Sequence, residues 1–214
     1  AETKGRGAPT TIILLIAGVV LLAAFVLVER RVAHPLLPLR IVLNRFRGGS
    51  YLAIGLSAIG LFGVFLFLTY YLQLILSYSP VTTGLAFLPM IAALIATSTT
   101  VSAVLLPRFG PRILIPAGMV VAAAGLVILA AQLGVHTSYP STILPALVVI
   151  GLGLGLVFAC AINTATYGAA REDAGVASAM VNTNQQVGGS IGTALLNTIA
   201  ASAFSSYLVT HGPG

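Results

Sequence analysis

The chain has 214 residues, of which 58% are hydrophobic and 7% charged, with ten Lys or Arg against four Asp or Glu and a formal net charge of +6. Soluble domains carry roughly 25% charged residues, so this chain cannot cover a water-facing surface. Its apolar content excludes a disordered chain, its single cysteine, Cys160, excludes a disulfide scaffold, and a membrane protein remains.

A helix needs about 20 apolar residues to cross a bilayer. With Pro, Gly and charge as boundaries, the sequence predicts six spans. The first runs from about Thr11 to Val28 and is closed by Glu29, Arg30 and Arg31. The second covers about Tyr51 to Leu76, and the third about Gly84 to Leu106, closed by Pro107 and Arg108. The fourth covers about Ile113 to Leu133 and the fifth about Thr142 to Tyr167. The sixth covers about Gly175 to Val209, with a polar start and some helix outside the membrane. A β-barrel would alternate polar and apolar residues every second position, and runs such as 11–24 do not. The first span is not read as a signal peptide, because its arginines follow the apolar run and no small-residue cleavage site comes after them. The start at Ala1 without Met and the close after the sixth span are read as marks of a piece of a longer chain.

The loops set the orientation through the positive-inside rule. The first loop holds Arg30, Arg31, Arg40, Arg45 and Arg47, the third Arg108 and Arg112, and the fifth Arg171. The second and fourth hold no Lys or Arg. Odd loops are therefore expected to be cytoplasmic and both ends of the chain extracytoplasmic. The same placement explains the basic charge without nucleic acid.

No Asp, Glu, Lys or Arg lies deep in a predicted span, so the groups that usually carry protons or ions through a membrane are expected outside this segment. His34, His136 and His211 are far apart and no metal-binding spacing is present. Neither a cofactor nor enzyme chemistry is expected. Gly151 and Gly155 form GxxxG within an apolar helix, a close-packing signal, and Cys160 reads as a small packing residue.

The strongest polar feature is on the sixth span. With Asn182 at 0°, Gln186 falls near roughly 40°, Ser190 near 80°, Thr193 near 20° and Asn197 near 60° at about 100° per residue. These five make a continuous stripe that excludes Asn184 and Gln185; Gly188 and Gly192 lie away from it. The stripe can serve interhelical hydrogen bonds or line an aqueous cavity, and its length favours the cavity. Thr69 and Gln73 share a face near the outer end of the second span, beside Tyr70 and Tyr71, which also suit an interfacial aromatic belt. Asn163, Thr164 and Thr166 form a third cluster near the inner end of the fifth span. Thr97 to Thr100 form a weaker patch, read by default as hydroxyls bonding their own helix.

The run Pro107 to Arg112 resembles the cytoplasmic loop motif of the major facilitator superfamily, Gly-x-x-x-Asp-Arg-x-Gly-x-Arg. Arg108, Gly110 and Arg112 match, while Ala103 replaces the first Gly and Pro107 the Asp. Tyr78-Ser79-Pro80, Gly84, Leu88-Pro89, the glycines at 151, 153 and 155, Glu172 to Gly175, and Asn182 through Gly189 are together similar to the second half of its 14-helix drug–proton antiporter branch. The resemblance implies an all-α polytopic helix bundle. Residues 1–48 would be a linker transmembrane helix with a basic cytoplasmic loop, and 49–214 a C-terminal transporter half-domain lacking its last helix. It also implies alternating access, proton-coupled efflux of hydrophobic or amphipathic small molecules, and helices that bend or slide at Pro89 and the fifth-span glycines. Its partners would be the lipid bilayer, the small-molecule substrate and the N-terminal half of the transporter, with no nucleic acid. The residues expected at the substrate cavity are Asn182, Gln186, Ser190, Thr193, Asn197, Thr69, Tyr70, Gln73 and Asn163. Arg108, Gly110 and Arg112 would form the gating loop. The alternative is an oligomeric channel-like or structural membrane subunit.

Overall fold

Backbone N–H and C=O groups in hydrocarbon find no water, so a chain this apolar closes its hydrogen bonds inside helices. The computed structural model describes residues 9–32, 45–134, 137–166 and 174–211, and every regular element among them is helical. Lys4, Arg6, His34, Arg40, His136, Arg171, Glu172 and Asp173 lie outside the described residues. The chain divides into two compact units, Ala1–Leu43 and Asn44–Gly214. The first contains α1 (Pro9–Arg31), whose apolar residues surround the helix without a polar stripe.

The second unit begins with α2 (Arg45–Tyr70), which continues into a π-helical turn over Tyr71–Ile75. Next come α3 (Pro80–Ala86), α4 (Leu88–Thr100), a π-helical turn over Val101–Leu105 and α5 (Leu106–Phe109). Then follow α6 (Pro111–Gln132), a third π-helical turn over Tyr139–Ile143, α7 (Leu144–Thr166) and α8 (Ala174–His211). Four continuous lengths, Arg47–Ile75, Pro80–Phe109, Pro111–Gln132 and Tyr139–Thr166, are long and apolar enough to cross a membrane. They match the second to fifth predicted spans. α1 and α8, of 23 and 38 residues, occupy the first and sixth. α1 carries a shorter apolar run, Ile16–Glu29, and α8 is diluted by the polar residues 182–186.

α7 is the hub of the second unit and packs against α2, α4, α6 and α8. Its three glycines divide between two neighbours, because residues two apart on a helix point about 200° apart. Gly151 and Gly155 face α4. A Cβ at 151 would run into the Met90 carbonyl, and one at 155 would come within 2.6 Å of the Leu94 carbonyl. Gly153 faces α6, where a Cβ would collide with the backbone of Ala122 and approach the Gly118 carbonyl at 2.7 Å. The contact order gives helix direction. Met90 and Leu94 meet Gly151 and Gly155 in rising order, so α4 and α7 are parallel, while Gly118 and Gly125 meet Gly153 and Ile150 in falling order, so α6 and α7 are antiparallel. α2 and α8 are parallel, with Gly55, Ile59 and Gly63 meeting Gly188, Gly192 and Leu196.

Two ends of the unit are distinct. At the end assigned to the cytoplasm, Val101, Leu114 and the fully buried Cys160 form a core with Leu105, Ile115 and Leu156 around them. Cys160 is thus a packing residue, as its size and polarizability suit. The connection between the third and fourth spans is a single residue. α5 ends at Phe109, Gly110 takes φ 70° and ψ 163°, and α6 starts at Pro111. At the other end, Ser79 caps α3 by accepting from the Thr82 N–H at 3.2 Å, with Pro80 in the first turn.

Candidate functional site

The polar stripe of α8 is laid out by the seam that fixes the helix. A Cβ at Gly188 would strike the Gly55 carbonyl, and one at Gly192 would come within 2.8 Å of Ile59 Cα. These positions can only be glycine if α2 and α8 are to touch at this distance. The stripe lies roughly 140° around the helix from Gly188 and Gly192. Asn182, Gln186 and Ser190 are exposed, and Thr193 and Asn197 half-buried.

Asn182, Ser190 and Thr193 bond their own helix. The Asn182 amide donates to the Ser178 carbonyl at 3.4 Å, the Ser190 hydroxyl to Val187 at 2.9 Å and the Thr193 hydroxyl to Gly189 at 2.8 Å. Such back-bonding satisfies hydroxyl donors locally but leaves acceptor oxygens on the outer surface. Gln186 adds a further exposed amide. Asn184, off the stripe, is half-buried and donates to the Met180 carbonyl at 2.8 Å. The exposed apolar residues Val187 and Ile191 fall near about 140° and 180°, so the polar and apolar outer faces of α8 are separate.

The other expected site residues do not join the stripe into one cluster. Thr69 and Gln73 are half-buried and Tyr70 is exposed. Gln73 falls in the π-helical turn, so the α-helical register that relates it to Thr69 does not run unbroken between them. The Tyr71 hydroxyl reaches Gly134 and the Tyr139 hydroxyl reaches Ala86, which gathers the end of α2, the end of α6 and the start of α7 at one end of the unit. Asn163 is exposed and lies 24 residues beyond Tyr139, roughly 36 Å along the helix, so it sits at the opposite end from Thr69. Thr164 and Thr166 bond their own helix at 2.7 and 2.9 Å. Thr97, Thr99 and Thr100 do the same, whereas Ser98 crosses to the Gly155 carbonyl at 3.3 Å. Arg108 and Arg112 are exposed on either side of the Gly110 break.

A separate cavity of about 180 Å³ lies between α2, α6 and α7, lined by Leu56, Ser57, Gly60, Met119, Ala122 and Ile150 among others. It is apolar apart from Ser57 and contains none of the residues expected from sequence. Among the described residues, no three His, Cys, Asp or Glu side chains gather as for a metal ion.

The profile of the Major Facilitator Superfamily matches residues 9–193. The puromycin resistance protein pur8 of Streptomyces alboniger is 51% identical over 211 residues, covering 98% of this chain and 42% of that protein. The cephamycin export protein CmcT of Amycolatopsis lactamdurans is 35% identical over 202 residues, 94% of this chain and 41% of that protein. A multidrug resistance protein B homolog of Mycobacterium tuberculosis is 32% identical over 192 residues, 89% of this chain and 35% of that protein. The chain thus spans about two fifths of the length of the curated relatives it matches. It is a multi-pass helical membrane chain that belongs to the major facilitator superfamily, with its similarity in the drug-resistance and export branch.

Proposed function

We propose that this chain is part of a secondary active transporter that exports hydrophobic or amphipathic small molecules across a bacterial cell membrane by alternating access. The observation that carries the reading is the α8 stripe. Asn182, Gln186 and Ser190 are exposed on a helix whose glycine seam already anchors it to α2. Uncharged polar groups facing lipid are costly, so a stripe this long suits a watered cavity between this half and the rest of the protein. Asn and Gln amides and Ser and Thr hydroxyls offer both donors and acceptors, which fits drugs with scattered polar groups on an apolar frame. Puromycin is the first compound to test, from the name of the relative at 51% identity.

Residues 1–48 are assigned the role of linker helix and basic cytoplasmic loop, and 49–214 that of a C-terminal half-domain lacking its last helix. Asn182, Gln186, Ser190, Thr193 and Asn197 would line the cavity, with Thr69, Tyr70 and Gln73 near its outer end and Asn163 near its inner end. Arg108, Gly110 and Arg112 would shape the cytoplasmic gate. Proton coupling is assigned to carboxylates outside this segment. The partners in this reading are the lipid bilayer, the substrate and the N-terminal half of the transporter.

The test is expression of the full-length chain in a drug-hypersensitive bacterium. Raised puromycin tolerance and energised efflux that a protonophore abolishes are expected. Efflux that persists without a proton gradient, or no efflux of puromycin or cationic dyes from a correctly inserted protein, would contradict the proposal.

A further inference from the structure

Two tyrosine hydroxyls cross the outer end of the second unit. Tyr71 opens the π-helical turn after α2, and its hydroxyl donates to the Gly134 carbonyl at 2.6 Å. Tyr139 opens the π-helical turn before α7, and its hydroxyl donates to the Ala86 carbonyl at 2.6 Å. Both acceptors sit where a helix has stopped. α6 ends at Gln132, and Gly134 lies in a turn closed by Thr137, whose hydroxyl accepts from the Gly134 N–H at 2.7 Å and donates to the Gln132 carbonyl at 3.0 Å. Ala86 ends α3 at a break where the Phe87 N–H turns back to the Gly84 carbonyl at 3.2 Å, two residues after which Pro89 lies in the first turn of α4. The Gly134 carbonyl also accepts from the Thr137 N–H at 3.2 Å, so the Tyr71 bond is its second. Ala86 lies within the apolar length Pro80–Phe109, where a carbonyl at a helix break takes a partner from a neighbouring element, here the Tyr139 hydroxyl.

Ring contacts accompany the bonds. Tyr78 and Tyr139 have centroids 6.3 Å apart, and Phe65 of α2 and Phe87 at the α3–α4 break are 4.7 Å apart. The turn that carries Tyr71 is itself shaped to reverse the chain. Leu76 N–H bonds the Tyr71 carbonyl at 3.3 Å and Tyr78 N–H bonds the Leu72 carbonyl at 2.9 Å, with Ser77 at φ 55° between them. This is a Schellman-like reversal widened by one residue through the π-helical turn.

We propose that these two hydroxyl bonds are a rim staple. They fasten the end of α2, the α3–α4 break, the turn after α6 and the start of α7 into one body, so the outer end of this half moves as a plate through the transport cycle. In this arrangement the break before Pro89 is a fixed angle rather than a hinge. The staple uses none of the α8 stripe, and its tyrosine variants test it without any carried molecule.

The test places spin labels at Val81→Cys on α3 and Ser138→Cys before α7, both exposed positions, in the full-length chain in lipid vesicles with other accessible cysteines replaced. The parent protein is expected to give one narrow distance that neither puromycin nor a proton gradient changes. Tyr71→Phe and Tyr139→Phe keep the rings and remove the hydroxyls. Each is expected to shift the closed-to-open population of the rim about fivefold, and the double variant to show a second, longer distance. Tyr78→Phe, at a residue that contributes a ring contact, is expected to keep the narrow distance. A narrow distance that survives in the double variant, or a parent distance that moves between transport states, would overturn the proposal.

Discussion

Gly110 shows how one residue sets a junction. Its φ of 70° and ψ of 163° lie in a region that is open essentially to glycine alone. Nothing lies within 4 Å of where its Cβ would stand, so a substitution there meets backbone strain without a steric clash. Gly110→Ala is expected to lower stability by about 1–3 kcal/mol, read as a lower thermal midpoint in detergent. Tyr51 offers the opposite case. It is 3% exposed, and its hydroxyl has no hydrogen-bond partner among the described residues. A buried hydroxyl without a partner costs about 1–3 kcal/mol, so Tyr51→Phe is expected to leave the thermal midpoint unchanged or raise it. A marked fall would show that a group elsewhere in the full protein bonds this hydroxyl.

At the scale of helices, glycines decide which faces meet. Gly153 is held between α7 and α6 with backbone atoms inside 3 Å of its absent Cβ, and Gly153→Ala is expected to cost about 1–3 kcal/mol by overpacking. Gly49 in α2 has nothing within 4 Å, so Gly49→Ala is expected to stabilise by about 0.5–1 kcal/mol. Thermal midpoints of the two variants, measured side by side, check both signs. The helices themselves were legible in the sequence, because hydrocarbon imposes a run of about 20 apolar residues and Arg placement marks the loops. The Gly151–Gly155 spacing was legible for the same reason of fixed periodicity, as was the position of Gly188 and Gly192 off the polar stripe. Gly153 was not, since a residue two positions from both its neighbours serves a different helix, and that requires knowing α6 lies there. The π-helical turns left no periodic signal either. Each adds one residue to a turn, and the tyrosines that bond across the rim gain meaning only once their acceptors Gly134 and Ala86 are brought near. The stripe could be read from angle alone, and the placement of Thr69 and Gln73 at the opposite end from Asn163 from the Arg-set orientation, whereas the π-helical turn that carries Gln73 off the α-helical register of Thr69 could not.

In the proposed transporter, one outer face of α8 meets water and substrate while the seam on Gly188 and Gly192 holds the helix against α2. Replacing Asn182 and Gln186 by Ala removes polar groups that do not touch the seam. Folding and membrane insertion are therefore expected to persist, while puromycin efflux falls several-fold with a changed substrate range. Unchanged efflux and range in a correctly inserted double variant would reduce the stripe to a passive surface. The most direct measurement is accessibility of single cysteines along α8 in the full-length protein to a membrane-impermeant thiol reagent. Gln186→Cys and Ser190→Cys are predicted to react and to be protected by bound puromycin, whereas Val187→Cys and Ile191→Cys are predicted to stay unlabelled. Equal labelling of the two pairs, or labelling confined to Val187 and Ile191, would contradict the account.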